Sequence, residues 1–558
     1  MATTFAMPVP VRTTGARTGR SRLGWALAAG WAAQVVLRLW LYRYHAGPVA
    51  NPDETGYLLA ARWLAGGPGA NLSGSTFYQA GYALPLIPIF WLTADPVLAY
   101  RLVVVVGSVV AASAYPLAYL LLRRMGVGGR AALVLAFVAG ASPALLLFSG
   151  LALADAILPV LVLAWLVAVH DLVVRGSARA GLAAGAVAGF ATAVHLRGAV
   201  VLVVCVLVVA AGAAFLRTPR RAALAALAGA GVTAAAGQAL NGTLAAALYP
   251  GGARDLSGLL VSRLTSLEGQ AWALSGAAGQ LWYLIAGTWG LAGVGLAGAA
   301  VTLVRRAAPR AHRVLAGTLL VTTLGIAYAS SAALPDEHRV GNYAYGRYLA
   351  CVAVAWLLAG LVALVRSGRL AVVRLALAAA GLLAVTGGVA AWYAGDRLER
   401  YVFIAFDFPE MIFLSGTRDS LDMAAASLSA LALLACLAGA ALLTAGRSWL
   451  LVAGVLGLVH LAFVAYQAPV APAASGQDWL PAPPHGRVAV DGRVKWNVWV
   501  PLSYRVWWTE VERFDGAPPQ GVCTAVVPPG AVPPVGWTST GEGGSRQGWT
   551  TWRGSHCP

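Results

Sequence analysis

The sequence is a succession of apolar runs, each about as long as the hydrocarbon core of a membrane is thick. A helix needs about 20 apolar residues to cross that core, where all of its backbone hydrogen bonds must be satisfied internally. We find thirteen such runs, at residues 23–43, 97–122, 130–149, 155–174, 180–196, 198–216, 222–248, 280–304, 314–334, 347–365, 371–393, 424–445 and 449–467. They predict an all-α polytopic membrane protein with about 13 transmembrane helices.

The composition excludes a soluble enzyme and a nucleic-acid binder. Charged residues make up 11% of the chain and hydrophobic residues 59%, whereas a soluble domain has about 25% charged residues. A net charge of +18 would suit a nucleic-acid partner if the cations formed one patch. The 38 arginines and the single lysine, Lys495, lie mostly between the apolar runs. This distribution indicates membrane topology.

The charges also orient the predicted helices. With a cytoplasmic N-terminus, the inner segments hold 20 arginines and one carboxylate, Asp171. Cationic residues concentrate on the cytoplasmic side of membrane proteins. The sequence therefore predicts a multi-pass plasma-membrane protein with a cytoplasmic tail (1–22), an uncleaved first helix and an extracytoplasmic C-terminus. Arg38 and Arg43, near the end of the first run, are predicted to be snorkelling anchors.

A membrane domain at 23–467 is predicted to carry several outer segments. The first and largest outer loop covers residues 44–96, and further outer segments cover 249–280, 335–346 and 394–422. These segments are the places where a site outside the membrane can be built.

Residues 468–558 predict a small extracytoplasmic domain. They are rich in Pro and Gly and contain eight of the 20 tryptophans. Val and Trp alternate over Arg487–Trp508, which indicates strands, so the domain is predicted to be β-rich. Cys523 and Cys557 would form a disulfide in an oxidising compartment. The tryptophans either fill a small core or stack on the sugars of a glycan.

The first outer loop opens with two adjacent carboxylates, Asp53 and Glu54. The residues that follow, 57–64, predict an amphipathic helix on the membrane surface. Asp53 stands just before that helix, so it either caps the helix N-terminus or accepts a proton from a hydroxyl at the membrane boundary. Tyr57 and Tyr78 of this loop are candidate contacts for a sugar or an acceptor.

A third carboxylate, Asp155, lies at the outer mouth of the third and fourth predicted helices. An ionisable residue at that depth is costly and marks a candidate functional site; the alternative is a cap of the fourth helix. Asp53 and Asp155 fall on the same side of the membrane. They are expected to share a cavity or, optionally, a divalent cation such as Mg²⁺, Mn²⁺ or Ca²⁺.

A basic and aromatic cluster precedes the tenth predicted helix. His338 and Arg339 lead into it, and Arg347 opens it. An arginine at the outer membrane edge suits a lipid phosphate, with snorkelling as the alternative. The neighbouring tyrosines either stack on a sugar or form an interfacial belt; they are Tyr343, Tyr345 and Tyr348. His195 and Arg197 are a second candidate phosphate contact.

Together these groups indicate a reaction class. The sequence has no Walker A loop and no dinucleotide fingerprint, and no nucleotide sugar is expected outside a bacterial membrane. A sugar activated by a lipid phosphate solves this supply problem, since its prenyl chain lies among the helices and the membrane lipids. Arg347 would stabilise the departing phosphate while Asp53 deprotonates the acceptor hydroxyl. That single displacement inverts the configuration of the sugar.

The layout resembles the GT-C superfamily of membrane glycosyltransferases, which includes protein O-mannosyltransferases, aminoarabinose transferases and arabinofuranosyltransferases. The resemblance covers the whole chain in layout and a few residues in motif. The matching features are the pair Asp53-Glu54 in a large first outer loop, surface helices at about 54–66 and 75–93, Asp155, the pair Arg347-Tyr348 and an outer C-terminal domain.

The resemblance implies a polyprenyl-phosphate sugar donor and an extracytoplasmic acceptor, which is a cell-wall glycan, a glycolipid or a protein. It implies that Asp53 is the general base and that Glu54 and Asp155 shape the site or a metal. No DxD pattern occurs in the first outer loop, so a metal is optional. The arginine-rich, almost lysine-free composition looks actinobacterial and favours decaprenyl-phosphate donors of arabinose or mannose.

Two other functions stay open on the sequence alone. A transporter or flippase of a lipid-linked envelope precursor would need polar residues near the bilayer midplane, in repeated halves; the sequence shows no clear repeat. A non-catalytic scaffold would leave Asp53 and Asp155 unexplained. The prediction is therefore a hexosyl- or pentosyltransferase.

Overall fold

A computed structural model describes residues 15–50, 52–215, 218–443, 448–469, 486–540 and 548–557. Most of these residues are helical, and a small sheet forms near the C-terminus. The predicted fold class, a helical polytopic membrane protein with a C-terminal sheet domain, is confirmed. The predicted cytoplasmic tail, 1–22, falls mostly on residues 1–14, which lie outside the described part.

The described residues form a long series of helices. The α-helices are α1 Gly15–Leu41, α2 Asp53–Leu64, α3 Ile87–Leu92, α4 Pro96–Ala112, α5 Ala114–Arg124, α6 Gly129–Gly140, α7 Pro143–Ser149, α8 Leu158–Arg175, α9 Ala178–Val194, α10 Arg197–Phe215, α11 Arg220–Leu248, α12 Leu256–Leu264, α13 Leu267–Gly287, α14 Leu291–Val304, α15 Arg310–Ala333, α16 Gly341–Ala344, α17 Ala350–Arg366, α18 Arg369–Ala394, α19 Arg397–Arg400, α20 Pro409–Ser415, α21 Met423–Leu443, α22 Ser448–Gln467 and α23 Trp496–Arg505. Short 3-10 helices lie at Leu84–Leu86, Ala154–Ala156, Gly346–Leu349 and Ala405–Asp407.

Each of the predicted apolar runs falls on a helix or a bent helix pair. Within the described ranges, nine helical stretches are long and apolar enough to cross a membrane, or up to eleven if each of two bent pairs is one crossing. The bent pairs are α6–α7, with a bend of 51°, and α13–α14, with a bend of 112°. The other two runs correspond to α1 and to the 17-residue α9. The predicted number of thirteen crossings is not confirmed.

The prediction of one helix over 280–304 is wrong, because the chain turns sharply between α13 and α14. Trp289 and Gly290 have φ angles of 59° and 80°, in the left-handed region that ends a right-handed helix. Trp289 is fully buried and packs on Phe413 and Phe463. An apolar run in the sequence does not reveal such a turn, because the residues before and after the turn are equally buried.

The prediction that Arg38 snorkels is also wrong, because its side chain is fully buried. Its guanidinium donates to the carbonyl of Gly140 at 2.7 Å and to Oε1 of Gln34 at 2.6 Å. Gln34 donates in turn to the carbonyl of Phe137 at 2.8 Å. These carbonyls belong to the last turn of α6, where helical donors are missing, so the two side chains stabilise the bend. Arg43, by contrast, is exposed.

Close packing of α9 on α11 fixes the start of α10. Gly181 and Gly185 face α11, where an added Cβ would lie 2.1 and 1.8 Å from the carbonyl oxygens of Ala222 and Ala226. Small residues at such positions let membrane helices approach closely. Helix α10 begins at Arg197, three residues after α9 ends, so the position of α9 limits where α10 can start.

The sequence correctly predicts that α2 is a helix, but the predicted position of this helix on the membrane surface is wrong. Every residue from Glu54 to Arg62 is buried, so α2 lies inside the protein and not on a membrane surface. Its start is favoured by Asp53 and Glu54, because acidic residues stabilise the positive end of the helix dipole.

The second predicted surface helix, 75–93, is wrong over its first half. Within 75–93, helical structure is limited to the 3-10 turn at Leu84–Leu86 and the short α3. Before them the chain runs against the end of α9, where the N–H of Gly81 donates to the carbonyl of Ala193 at 2.8 Å. A Cβ on Gly81 would lie 2.6 Å from that backbone, so this contact needs glycine.

The C-terminal residues form a five-stranded sheet. Its strands are β1 Arg487–Asp491, β2 Val511–Phe514, β3 Val522–Val527, β4 Trp537–Ser539 and β5 Thr550–Gly554. They are arranged in the order β2-β1-β3-β5-β4. Strand β1 is parallel to β2 and β3, and β5 is antiparallel to β3 and β4. A disulfide joins Cys523 on β3 to Cys557 after β5.

The prediction of strands over Arg487–Trp508 is wrong after β1, because α23 follows. This helix is buried on several sides, and a buried helix cannot be told from a buried strand by periodicity alone. It provides the crossover that two parallel strands need. Helix α23 packs on α2, and Arg62 donates to the carbonyls of Tyr504 and Val506 at 3.4 and 3.2 Å. The C-terminal domain is thereby attached to the first outer loop.

Helix α8 joins the two ends of the helical bundle. Helix α8 begins just after Asp155 and ends near Asp171, so these carboxylates lie at opposite ends. Asp171 pairs with Arg124 at 2.7 Å and lies 3.7 Å from Arg175. The end with Asp171 is the one predicted to be cytoplasmic, and that orientation stays a prediction.

We expect Gly185→Val to destabilise the protein by about 1–3 kcal/mol, because the added side chain forces α9 away from α11. Thermal unfolding of the protein in detergent measures this. Gly231→Val on α11 is the matched control, since a Cβ there meets nothing within 4 Å. Equal losses in both variants would contradict the close packing.

Candidate active site

Four charged side chains from four separate segments meet at one end of the bundle. Asp53 is the first residue of α2, and Asp155 lies in the 3-10 turn before α8. Arg197 is the first residue of α10, and Arg347 lies in the 3-10 turn before α17. Each side chain stands where a helix begins at the same end of the bundle. The sequence predicted all four as site residues, and the structure brings them together.

The four side chains form a continuous series of ion pairs. Arg347 bridges the two carboxylates: its Nη1 lies 2.6 Å from Oδ2 of Asp53, and its Nε lies 2.8 Å from Oδ2 of Asp155. Nη2 of Arg197 lies 2.7 Å from Oδ1 of Asp155. The Tyr78 hydroxyl donates to Oδ1 of Asp53 at 2.9 Å. Two positive and two negative charges thus compensate each other, as charges withdrawn from water must.

Exposure separates the two carboxylates. The side chain of Asp155 is 1% exposed, and that of Asp53 is 33% exposed. Neither carboxylate caps a helix, because the N-cap residues of α2 and α8 are Pro52 and Ile157. Asp155 is therefore an internal counter-ion, whereas Asp53 is accessible to a substrate.

Glu54 occupies a different environment, in which both of its oxygens are used. Oε1 accepts from the backbone N–H groups of Val49 and Ala50, each at 2.7 Å. Oε2 accepts from the N–H of Ala152 at 2.7 Å and from the Tyr100 hydroxyl at 2.6 Å. Burial raises the pKa of Glu54 above its ordinary value, while these hydrogen bonds lower it. Glu54 thus joins the first outer loop to the loop before α8.

His195, which was predicted with Arg197 as a phosphate contact, lies beside Arg197 as a neutral group. Nε of Arg197 lies 3.3 Å from Nδ1 of His195, and burial, with this cation nearby, lowers the pKa of the imidazole well below its ordinary value. Nη1 of Arg197 donates to the carbonyls of Arg347 and Tyr348, both at 3.3 Å. Arg197 therefore holds Asp155 and the 3-10 turn of Arg347 in place.

Tyr57 and Tyr78 line the cluster from the first outer loop. Their ring centroids are 5.3 Å apart in an edge-on arrangement. Burial raises the pKa of both hydroxyls, and the negative charge of Asp53 raises it further. Both hydroxyls therefore stay protonated, and that of Tyr78 donates to Asp53.

The three tyrosines around Arg347 in the sequence separate in space. Nη1 of Arg347 donates to the Tyr345 hydroxyl at 3.4 Å, and the rings of Tyr345 and Tyr348 pack edge to face at 4.6 Å. Tyr343 is buried elsewhere, beside Trp272 at a centroid distance of 5.9 Å. The structure thus brings two of these tyrosines to the cluster.

Arg339 and His338 lie at the edge of the site. Arg339 pairs with Glu337 at 3.0 Å and lies 3.8 Å from Asp407. The His338 ring packs on Tyr401 at 5.2 Å. Neither side chain forms an ion pair with the two central carboxylates in the part of the chain that the structure describes.

Two buried carboxylates at the site were not predicted, Asp407 and Glu410. Burial raises the pKa of Asp407 to about 6, although Arg339 lowers it. Glu410 accepts a hydrogen bond from the Tyr283 hydroxyl at 2.5 Å, and burial raises its pKa as well. The signal was present in the sequence, because both acids stand among Phe and Pro residues. Asp155, also an acid in an apolar stretch, was recognised on that basis.

A cleft adjoins Arg347. Its lining comes from the ends of α7 and α13, the start of α17 and the segment that enters α20. The polar lining residues are Tyr283, Thr288, Arg347, Asp407 and Glu410. The apolar wall includes Ala144, Phe148, Leu284, Leu349, Ala353 and Phe406. A charged end and an apolar wall suit a ligand with an anionic head and a hydrocarbon chain.

The predicted optional cation has no ligand set of its own among the described residues. No group of three or more His, Cys, Asp or Glu side chains there could hold a metal ion. The guanidinium of Arg347 lies between Asp53 and Asp155 and compensates their charge. The shared cation stays a prediction that this geometry does not require.

The chain is a polytopic membrane protein that shares its overall fold with ArnT, as its resemblance to the GT-C superfamily implied. The chain is similar to ArnT from Cupriavidus metallidurans in the apo state, with 16% identity, a TM-score of 0.51 and coverage of 92% of this chain and 94% of that one. The structure of the same ArnT bound to undecaprenyl phosphate has 15% identity, a TM-score of 0.50 and coverage of 91% and 93%. No protein-family model and no curated protein matches the chain.

Glu54→Ala is expected to destabilise the protein by about 3–5 kcal/mol, because three backbone N–H groups and the Tyr100 hydroxyl lose their acceptor in the interior. Thermal unfolding in detergent measures this loss. Glu337→Ala is the control, because its ion pairs are partly exposed and such pairs contribute about 0–1 kcal/mol. A Glu54→Ala protein as stable as the control would contradict the structural role.

Proposed function

We propose that the protein is a glycosyltransferase that moves a sugar from a polyprenyl-phosphate donor to an extracytoplasmic acceptor hydroxyl, with inversion. The observation that carries the proposal is the Arg347 guanidinium, shared by Asp53 and Asp155 beside an apolar cleft. The undecaprenyl phosphate bound to ArnT, which has the same fold, supports a polyprenyl-phosphate donor. The acceptor is a cell-wall glycan, a glycolipid or a protein.

Asp53 is the proposed general base. Its side chain is the most exposed of the four-residue cluster, so an acceptor hydroxyl can approach it. Asp53 takes the hydroxyl proton as the acceptor oxygen attacks the anomeric carbon. The bond between that carbon and the phosphate oxygen breaks, and the electron pair leaves with the phosphate.

Arg347 is the proposed binding group for the departing phosphate. Negative charge grows on the phosphate as the bond breaks, and a fixed cation there lowers the barrier. The phosphate and Asp53 compete for the same guanidinium, because Nη1 of Arg347 already pairs with Asp53. A carboxylate that loses its cation takes a proton more readily. Donor binding therefore prepares the base.

The apolar wall of the cleft beside Arg347 is proposed to hold the first part of the prenyl chain. Its wall contains Phe148, Leu284 and Ala353, which belong to three different helices. Burial of hydrocarbon against such a wall contributes roughly 25 cal/mol for each Å² removed from water. The chain would then run from the charged site toward the lipid.

One observation bears on the transporter alternative. Arg38 and Gln34 are polar and buried beside the bend of α6 into α7, as a transport pathway would require. Their hydrogen bonds go to carbonyls of α6, and neither residue lines the cleft beside Arg347. They therefore act on the helix bend, and the transferase remains the proposal.

Asp53→Asn is expected to lower turnover by about 10²–10⁴-fold, because it removes the base. The assay offers the purified protein a panel of prenyl-phosphate sugars and follows the release of prenyl phosphate. Asp95→Asn is the matched control: Asp95 ends the same outer loop and caps α4, and this variant should keep wild-type turnover. The proposal is contradicted if the wild-type protein releases no prenyl phosphate from any donor. It is also contradicted if the Asp53→Asn protein is as active as the wild type. A flippase would leave every donor intact.

Asp53→Asn is also expected to bind undecaprenyl phosphate more tightly, by about threefold or more, because the competing negative charge beside Arg347 is gone. Titration of the purified variants with undecaprenyl phosphate measures this. Arg347→Ala should bind the same lipid more weakly than wild type. Weaker binding by Asp53→Asn would contradict the competition for Arg347.

A further inference from the structure

One carboxylate of the cleft has no role in the reaction described so far. Asp407 lines the cleft together with Arg347, and its side chain is 5% exposed. Its Oδ2 has no hydrogen-bond partner within the described ranges. Nη1 of Arg339 lies 3.8 Å from that atom, which is too far for a hydrogen bond. Buried polar atoms are nearly always paired, so an unpaired one on a residue that lines a cleft points to a ligand atom.

The neighbouring polar groups of the cleft are already engaged. Glu410 accepts from the Tyr283 hydroxyl, and the Thr288 hydroxyl donates to the carbonyl of Leu284 at 2.7 Å. Arg347 is held by the two carboxylates of the ion-pair cluster. Among the side chains lining the described part of this cleft, Asp407 is the one with a buried oxygen that has no hydrogen-bond partner.

The backbone before Asp407 is held by hydrogen bonds to residues 338–340, which belong to the segment 335–346. The N–H of Val340 donates to the carbonyl of Val402, and the N–H of Val402 donates to the carbonyl of His338, both at 3.0 Å. Phe408, directly after Asp407, is fully buried and stacks on Phe403 at 5.2 Å. These contacts within the protein fix the backbone that carries the carboxyl group, as a recognition group requires.

The chemistry of a carboxylate restricts what can meet Oδ2. A carboxylate accepts hydrogen bonds, so its partner must be a donor. A prenyl chain has no donor, and an ionised phosphodiester has none and carries the same charge as the carboxylate. Within a prenyl-phosphate sugar, hydroxyl donors occur only on the sugar. The cations of Arg339 and Arg347 near Asp407 disfavour a further cation, so a neutral hydroxyl fits better than an ammonium group.

We propose that Asp407 is a specificity-determining residue that accepts a hydrogen bond from one hydroxyl of the transferred sugar. This inference rests on the proposed function and adds the means by which the donor sugar is selected. A site built to bind a hydroxyl rejects an analogue without it, because the buried acceptor then stays unpaired. Discrimination against one particular deoxy sugar should therefore depend on Asp407.

The test pairs Asp407 variants with modified donors. The probes are prenyl-phosphate esters of arabinofuranose and mannose, together with each monodeoxy form of the sugar that the wild type transfers. For the wild type we expect kcat/KM to fall by about 10- to 100-fold with one deoxy donor. Asp407→Ala should lose a similar factor with the parent donor and lose nothing further with that deoxy donor.

Asp396→Ala provides the matched control. Asp396 lies on the same outer segment, its side chain is 69% exposed, and it pairs with Arg400. This variant should discriminate among the donors as the wild type does. Asp407→Asn keeps an oxygen acceptor without the charge, so it should retain part of the discrimination and provide the readout if the alanine variant does not fold.

The outcomes separate this inference from the function on which it rests. Wild-type protein that transfers none of the sugars overturns both. Wild-type turnover with deoxy penalties that are unchanged in both Asp407 variants overturns the role of Asp407 alone. A donor with an amine in place of the critical hydroxyl that reacts at least tenfold faster than the parent would overturn the choice of a hydroxyl.

Discussion

The site depends on one guanidinium group that two carboxylates share. Asp53 and Asp155 approach the same cation from different loops, and without Arg347 their charges would repel each other in a place with little water. Arg197 adds the second positive charge that the fully enclosed Asp155 needs. The start of α2, the turn before α8 and the turn before α17 are therefore held together by electrostatics, although each belongs to a different part of the chain.

Hydrogen bonds to the backbone convert this charge balance into a fixed geometry. Glu54 joins the first outer loop to the loop before α8, and Arg197 joins α10 to the turn that carries Arg347. The glycines of α9 let it pack closely on α11, just before the chain enters α10 at Arg197. These segments are thus connected to one another at one end of the bundle, with Asp53 at the accessible edge.

Much of the fold and the central residues could be predicted from the sequence, because they depend on strong local signals. Apolar runs located the helices, and isolated charges such as Asp155 and Arg347 marked the site. The missed features depend on tertiary contacts. The turn at Trp289, the burial of Arg38 and the helix α23 depend on packing against residues distant in the sequence. Periodicity indicates that a segment is buried, but it does not show how the segment is oriented or folded. The sequence also did not show that Tyr343 and Tyr345 lie in different places, since residues two apart in the chain can contact different neighbours.

Helix α2 connects the site to the C-terminal domain. Its 12 residues make a rod roughly 18 Å long, with Asp53 at one end and Arg62 gripping the backbone around Tyr504 at the other. A helix is stiff along its axis, so a displacement of the C-terminal domain reappears as a displacement of the carboxylate. A shift of the C-terminal domain along this axis would therefore change the distance between that carboxylate and Arg347.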